Sequence, residues 1–334
     1  MRKLLILILL VTGLWWGYWF VGSSAVRQGV EQAFAEAAAR GATAERTGLT
    51  VAGFPNRFDL TVEGIRYADP VSGIGWQAPF AQLFAMTWKP WHIIAVLPPE
   101  QVVTLPDEAV TVTAEGLRAS LRARPATDLP LALAVAETGP FQARSSAGWT
   151  LGAERAVMSL AAAEGGQNAY DLSLDVAGLA PDPALLARLV PDDSLPPTVG
   201  VIRLRASLTL TVPLDRHAGQ TRPRVAALAL TDTLITWGEL SAAAAGRIAP
   251  DDNGLAAGRI DVTITNWRRI LPVLVASGAV RPELLQTVET MLASLAQQTG
   301  DPEVLKLPLV LENGWMTLGP VPLGPAPVLL PPAG

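Results

Sequence analysis

Between residues 202 and 214 the chain alternates without a break. Ile202, Leu204, Ala206, Leu208, Leu210, Val212 and Leu214 are apolar, and Arg203, Arg205, Ser207, Thr209, Thr211 and Pro213 stand between them. A period of two places successive side chains on opposite sides of a strand, so this pattern predicts one apolar and one polar face. It is more than twice the common strand length of about five or six residues. Tyr170, Leu172, Leu174 and Val176 repeat it against Asp171, Ser173 and Asp175, and Ile260, Val262 and Ile264 repeat it against Arg259, Asp261 and Thr263. Leu129, Leu131, Leu133 and Val135 alternate with smaller residues. Asp251-Asp252-Asn253-Gly254 and Glu312-Asn313-Gly314 have the chemistry of hairpin loops between such runs. The pattern predicts a mainly β fold with minor α: a long, twisted, mostly antiparallel sheet with one side to hide from water.

The other dominant signal is at the N-terminus. Arg2 and Lys3 precede residues 4–21, which carry no charge. At about 1.5 Å per helical residue this run spans roughly 27 Å, close to a hydrocarbon core of about 30 Å. Trp15, Trp16, Tyr18 and Trp19 lie toward its far end, where aromatic residues suit the membrane–water interface. Basic residues before the span direct the N-terminus to the cytoplasm and export residues 26–334. Ser23-Ser24-Ala25 offers the competing reading of a cleaved signal peptide, but the run exceeds the usual apolar core of about 7–15 residues. The expected layout is a signal-anchor over 1–22, a helical stalk over 23–47 and an exported β-rich domain over 48–334, in the inner membrane with its C-terminal domain in the periplasm.

Helical spacing returns in places. Val26, Val30, Phe34 and Ala37 predict a short helix over 26–40. Within the β-rich part, helices are expected near 182–190, 266–276 and 281–298. The first has Asp182 as cap and Pro183 at its first position; the last has Leu284, Leu285, Val288, Met291, Leu292 and Leu295 along one face and Gly300 past its end. Such helices can cover a sheet face. "TVEGIR" (61–66) and "TAEGLR" (113–118) echo each other, and the apolar phase slips at each Glu-Gly pair, predicting a β-bulge.

Composition narrows function. The 334 residues, enough for one large or two ordinary domains, are 50% hydrophobic and only 16% charged, against roughly a quarter charged in ordinary soluble domains. A net charge of −5 argues against nucleic acid as a partner. The absence of cysteine removes disulfides, thiolate metal sites and cysteine nucleophiles. No nucleophile elbow, phosphate loop or His-Glu-x-x-His motif occurs. The two histidines, His92 in "WKPWHIIAVLPP" and His217 in "DRHAGQTRPR", stand apart from any carboxylate pattern. Asp192-Asp193 and Asp251-Asp252 are formal candidates for paired catalytic carboxylates, but their Pro- and Gly-flanked settings favour turns. No enzyme activity, cofactor or metal site is expected. Arg118, Arg122 and Arg124, and Arg203 and Arg205, suit a solvated outer face, with anionic headgroups as the sharper alternative. In "GWQAPFAQLFAMTWKPWHII" (75–94), Trp76, Phe80, Phe84, Trp88 and Trp91 are core residues or the lining of a lipid- or partner-contacting groove.

"VAGFPNRFDL" sets the start of the first hairpin, over 48–63. Pro55 cannot donate to a ladder, so it belongs at a strand's first position or an edge, and the strand then begins at Arg57 or Phe58 with Phe58, Leu60 and Val62 inward. Together with "FAMTWKPWHIIAVLPP", "WGELSAAAAGRI" followed by "ITNW", and "LPLVLENGWMTLGPVPLGPAP", it resembles domain of unknown function family 2125, exported envelope proteins of alphaproteobacteria. The resemblance marks Gly53, Pro55, Arg57, Trp237, Gly238, Trp267, Gly314 and Gly319 as structural motif residues and brings no catalytic signature. The layout is also similar to AsmA-like proteins, which implies a curved sheet whose apolar side shields lipid. Two functions follow as expectations: a membrane-anchored protein binding inner-membrane lipid, or a non-catalytic scaffold for another envelope protein, with the proline-rich tail "GPVPLGPAPVLLPPAG" lying extended.

Overall fold

The structure, a computed structural model, describes residues 1–166, 168–190 and 194–330. The chain divides into two compact units, Met1–Pro125 with Ala136–Trp149 and Ala126–Val135 with Thr150–Gly334. Every registered strand pair in both is antiparallel.

The first unit begins with α1 (Arg2–Ala39), a single helix that takes in both the apolar run and the segment expected to form a separate short helix. Gly22, Ser23 and Ser24 are weak helix formers, but each costs at most about 1 kcal/mol and none is proline, so the helix runs through. Gly41 ends it at φ 88°, a left-handed turn that glycine adopts without a Cβ penalty. Then come β1 (Thr43–Glu45), β2 (Gly48–Ala52), β3 (Arg57–Ala68), β4 (Gly75–Met86), β5 (Lys89–Val96), β6 (Glu100–Thr104), β7 (Ala109–Ala114) and β8 (Arg118–Ala123). The β2–β3 hairpin is the one predicted, and β3 begins at Arg57. On its other edge β3 pairs with β4, β4 with β5, and β5 with β8. β9 (Leu131–Thr138) runs across the division, and β10 (Phe141–Ser145) returns to β7.

Register turns the alternation into an apolar face. Val51, Leu60, Leu83, Ala95 and Ala119 stand in one row across five strands, and Phe58, Ala85, Ile93 and Leu121 form the next. Val26, Val30 and Phe34 of α1 pack over Leu60, Val62 and Ile65, so the predicted stalk residues cover this sheet. The two echoed glycines behave differently from a bulge. Gly64 lies in β3 at φ 58°, and the β3–β4 register continues past it unshifted; Gly116 lies in the loop between β7 and β8.

The second unit adds β11 (Thr150–Ala153), β12 (Arg155–Ala162), β13 (Ala169–Leu179), α2 (Pro183–Leu189), β14 (Val199–Leu210), α3 (Ala218–Thr221), β15 (Val225–Trp237), β16 (Leu240–Pro250), β17 (Ala256–Thr265), α4 (Leu271–Ala276), α5 (Leu285–Gln298), β18 (Val304–Glu312), β19 (Trp315–Leu318) and β20 (Val321–Pro325). From β12 to β20 each strand pairs with its successor, a nine-strand meander. The predicted strand over 202–214 stops at Leu210: Thr211 N donates to Arg224 O, and Leu214 N donates to the Tyr170 hydroxyl at 2.7 Å, outside any ladder. Asp182 caps α2, accepting from Ala184 N at 2.9 Å and Leu185 N at 3.0 Å. Helices α4 and α5 each follow a 3-10 turn and pack on β18, where Trp267, Leu271, Leu292, Ala296, Leu305 and Leu307 form the buried core. The described part of the proline-rich tail is not free: Val321–Pro325 pairs with β19, and Val328 bridges to Leu255.

Candidate functional site

The residues that answer most directly to the sequence's apolar excess gather in two places. In the first unit, the turn before β3 and the tip of the β4–β5 hairpin are held by the aromatic middle of α1. Trp15 Nε1 donates to Pro55 O at 3.1 Å, Tyr18 Oη to Thr87 O at 2.7 Å, and Trp19 Nε1 to Arg57 O at 2.8 Å. Phe54 stands edge-on to Trp16 and to Trp19, with ring centroids 5.3 Å apart in each case. Directly above this collar an apolar groove of about 290 Å3 runs between α1 and the sheet, with Tyr18, Gly22 and Val26 on one wall and Phe58, Leu83 and Ile93 on the other. Gly22 brings the wall close: a Cβ there would lie 2.5 Å from Phe58 Cζ. Beyond the groove the face stays open, and Leu121 is 46% exposed.

In the second unit the register builds a longer apolar row. Leu160, Leu172, Ala206, Leu230, Gly246, Ile260, Leu309 and Leu318 stand side by side across the eight strands β12–β19. Of these only Ala206 is buried; the others are partly accessible. Helices α4 and α5 cover one end of this face, over Leu305 and Leu307, and Leu318 of the row packs against the same core. Between β16 and β17 two glycines allow a close backbone approach. A Cβ on Gly246 would lie 2.2 Å from Arg259 O, and one on Gly258 would lie 2.2 Å from Arg247 O, so each glycine's face looks onto the backbone of the next strand. The opposite face is polar and paired: Arg205 grips Asp175 with Nη2–Oδ distances of 2.9 and 2.8 Å.

The five aromatic candidates do not form one surface. Trp76 packs with the α1-covered core and donates Nε1 to Gln101 Oε1 at 2.7 Å. Phe80 pairs with Glu63 and Phe84 with Asp59, so both stand on the side opposite Leu60 and Leu83. Trp88 is 50% exposed at the hairpin tip, and Trp91 lies in β5 where its register with β4 shifts. Missing from the predicted set are the hydrogen-bonding roles of Trp15, Tyr18 and Trp19. Their spacing of three and four puts them on one helix face, but it does not say that a turn of the same chain meets that face.

The titratable candidates have local partners. His92 Nε2 lies 3.0 Å from Ser120 Oγ across the β5–β8 pair, and His217 lies 3.8 Å from Asp128. Asp251 Oδ1 accepts from Asn253 N and Leu255 N, both at 2.9 Å, a turn-forming role. Asp192 and Asp193 lie outside the described residues. Backbone N–H bonds from Leu185 and Thr150 hold Asp182 below the usual carboxylate range, and the Ser72 hydroxyl does the same for Asp69. Among the described residues no three His, Asp or Glu side chains come together as a metal-binding group.

The model of a family described as uncharacterized protein conserved in bacteria, DUF2125, matches residues 19–327. This chain belongs to the DUF2125 family. No curated protein matches it. The DUF2125 match begins at Trp19, so it takes in the part of α1 that packs on the sheet through Val26, Val30 and Phe34, and nearly all of both units, while Trp15, Trp16 and Tyr18 precede it. Within this DUF2125 chain the motif residues serve turns and packing. Trp237 Nε1 donates to Pro196 O at 2.7 Å, and Gly238 turns at φ 60° against the same proline. Trp267 is fully buried and donates to Pro302 O at 3.0 Å. Asn313-Gly314 forms the β18–β19 hairpin with φ 53° and 78°, and Gly319 N donates to Pro308 O at 2.8 Å. Helix α1, whose first half precedes the match, is long and apolar enough to cross a membrane once.

Proposed function

We propose that this protein is a non-catalytic, membrane-anchored envelope protein whose apolar sheet faces bind or shield lipid, held in the inner membrane with both units in the periplasm. The observation that carries the reading is the row from Leu160 to Leu318. Eight adjacent strands present apolar side chains or glycine on one side, and all but Ala206 keep access to solvent. A row of this kind runs well past the scattered exposed side chains that an ordinary surface carries, and its ligand must be apolar along its length. Acyl chains meet that requirement without hydrogen bonds, which suits the absence of polar groups from the row. A photo-crosslinking amino acid placed at Leu172 or Leu230 in cells should yield phospholipid adducts, while the same group at Ser207 or Thr231 should not. Equal labelling from both faces, or none from either, counts against lipid on this face.

A second reading rests on the C-terminal edge. Trp315 is 60% exposed, Leu323 52% and Val328 63%, and β20 pairs only with β19 among the described strands. An unpaired edge of this kind suits strand addition by a partner protein. A crosslinker at Leu323 that gives one dominant protein adduct, with none of lipid from Leu172, supports the scaffold instead.

A further inference from the structure

We infer that the β4–β5 hairpin tip and the turn over 53–57 are inserted into the lipid layer, so that the first unit is wedged into the bilayer and is not raised above it on a stalk. The inference rests on α1 spanning a membrane and is independent of whether the sheet faces carry lipid. Arg2 and Lys3 fix the start of the span, because charged groups resist the hydrocarbon. From Leu4, Trp15 is eleven residues on and Tyr18 fourteen. At about 1.5 Å per residue they stand about 17 and about 21 Å along the axis, inside a hydrocarbon core of about 30 Å. Tilting the helix lowers them further. Trp15 and Tyr18 are hydrogen-bonded directly to Pro55 O and Thr87 O, so those two carbonyls sit at the same depths.

The tip is built for such a place. Backbone groups in lipid must find partners within the protein. The carbonyls of Pro55, Arg57 and Thr87 each accept from an aromatic side chain of α1. Asn56 O accepts from Thr87 N at 3.0 Å and from its hydroxyl at 3.1 Å, and Gly53 O accepts from Arg57 N at 2.8 Å. The large apolar side chains Phe54, Met86 and Trp88 are 42%, 42% and 50% exposed there, and Asn56, Arg57 and Lys89 are the exposed polar residues beside them. Arg57 is held at home, its Nη2 donating to Asp59 Oδ2 at 2.7 Å, and Lys89 carries its charge on a long apolar stem that can extend toward headgroups. The groove above the collar, from about 21 Å at Tyr18 to about 33 Å at Val26, then straddles the outer edge of the hydrocarbon.

The chain has no cysteine, so a single introduced one is a clean reporter. Full-length Met86→Cys, Trp88→Cys, Val71→Cys and Leu10→Cys variants, spin-labelled in vesicles of equal parts phosphatidylcholine and phosphatidylglycerol, give depth from the ratio of oxygen to nickel-chelate accessibility. Val71 is 90% exposed in the loop at the far end of β3 and marks the water level. The ratio at positions 86 and 88 is expected to lie several-fold above that at 71 and nearer to that at 10. Ratios at 86 and 88 nearer to 71, with 10 in lipid, overturn the wedge and leave the lipid-binding proposal standing. A water-like ratio at 10 overturns the span and the wedge together. Lys89→Cys reads the same level should Trp88→Cys fail to fold.

Discussion

Replacing Gly246 with alanine tests whether β16 and β17 meet backbone to backbone at this position. The added Cβ would lie 2.2 Å from Arg259 O and 2.5 Å from Ile260 Cα. Carbon and oxygen approach to about 3.3 Å even where they attract, so β17 must retreat by about 1 Å. Ladder bonds with N···O near 2.9 Å do not survive that displacement. Two of them at about 1 kcal/mol each, added to the usual overpacking cost of about 1–3 kcal/mol, give a loss of about 3–5 kcal/mol. With a urea slope of about 2–3 kcal/mol per M, the unfolding midpoint of the full-length protein in detergent, followed by the β-sheet circular dichroism signal, should fall by more than about 1 M. Gly219→Ala is the control, since a Cβ there meets nothing within 4 Å, and its midpoint should hardly move. A Gly246→Ala midpoint equal to that of Gly219→Ala would falsify the argument that these strands meet backbone to backbone.

Three further outcomes follow from single contacts. Trp19→Phe keeps an aromatic ring beside Phe20 and Phe54 and removes the donor to Arg57 O, so the melting midpoint in detergent should register a loss of about 1–2 kcal/mol; an unchanged midpoint would show that this bond does not hold the collar. Trp267→Ala empties a fully buried site under α4 and α5 and should cost about 3–5 kcal/mol in a urea titration; a cost under about 1 kcal/mol would show that this core is not closed. Asp182 has its carboxyl held low by N–H bonds from Leu185, Thr150 and Ala184, so its stabilisation is complete above the unfolded value and is lost as pH falls through the lower folded value. Asp182→Asn should therefore be less stable than the native chain at neutral pH, with the two midpoints converging in acid, and a constant gap across the acid range would refute the linkage.

The strands were legible because half-buried sheets write their register into the sequence. Tyr170, Leu172 and Leu174 alternate, and their partners Leu208, Ala206 and Leu204 alternate in step. Hairpins were legible where glycine and asparagine stand at positive φ, as at Asn313-Gly314. Three things were not. The end of β14 at Leu210 depends on Tyr170, forty residues earlier, supplying an acceptor to Leu214 N. The sheet order in the first unit, where β5 pairs with β8 and β6 with β7, depends on contacts that a periodicity of two does not encode. The collar joins an apolar helix to a turn, and a reading that assigns the helix to lipid leaves its N–H and O–H groups without protein partners to find.

That last point reaches beyond the collar. In each unit, one apolar sheet face has to be hidden, and in each a helix hides only part of it. Val26, Val30 and Phe34 of α1 cover β3 in the first unit; Leu271, Leu292 and Ala296 cover β18 in the second. A protein selected only for a closed core would extend such cover over Leu172, Leu230 and Leu121, because burying each leucine is worth about 1.5–3 kcal/mol. Here the strands instead continue the apolar row past the helices and place Arg205, Asp175 and Asp171 on the reverse side, where they pair or meet water. The polar reverse side keeps the sheet from pairing face to face with a second apolar layer on that side. What remains in each unit is an apolar side that its helices cover only in part, and the first of these begins at the groove beside the helix that is long and apolar enough to cross a membrane.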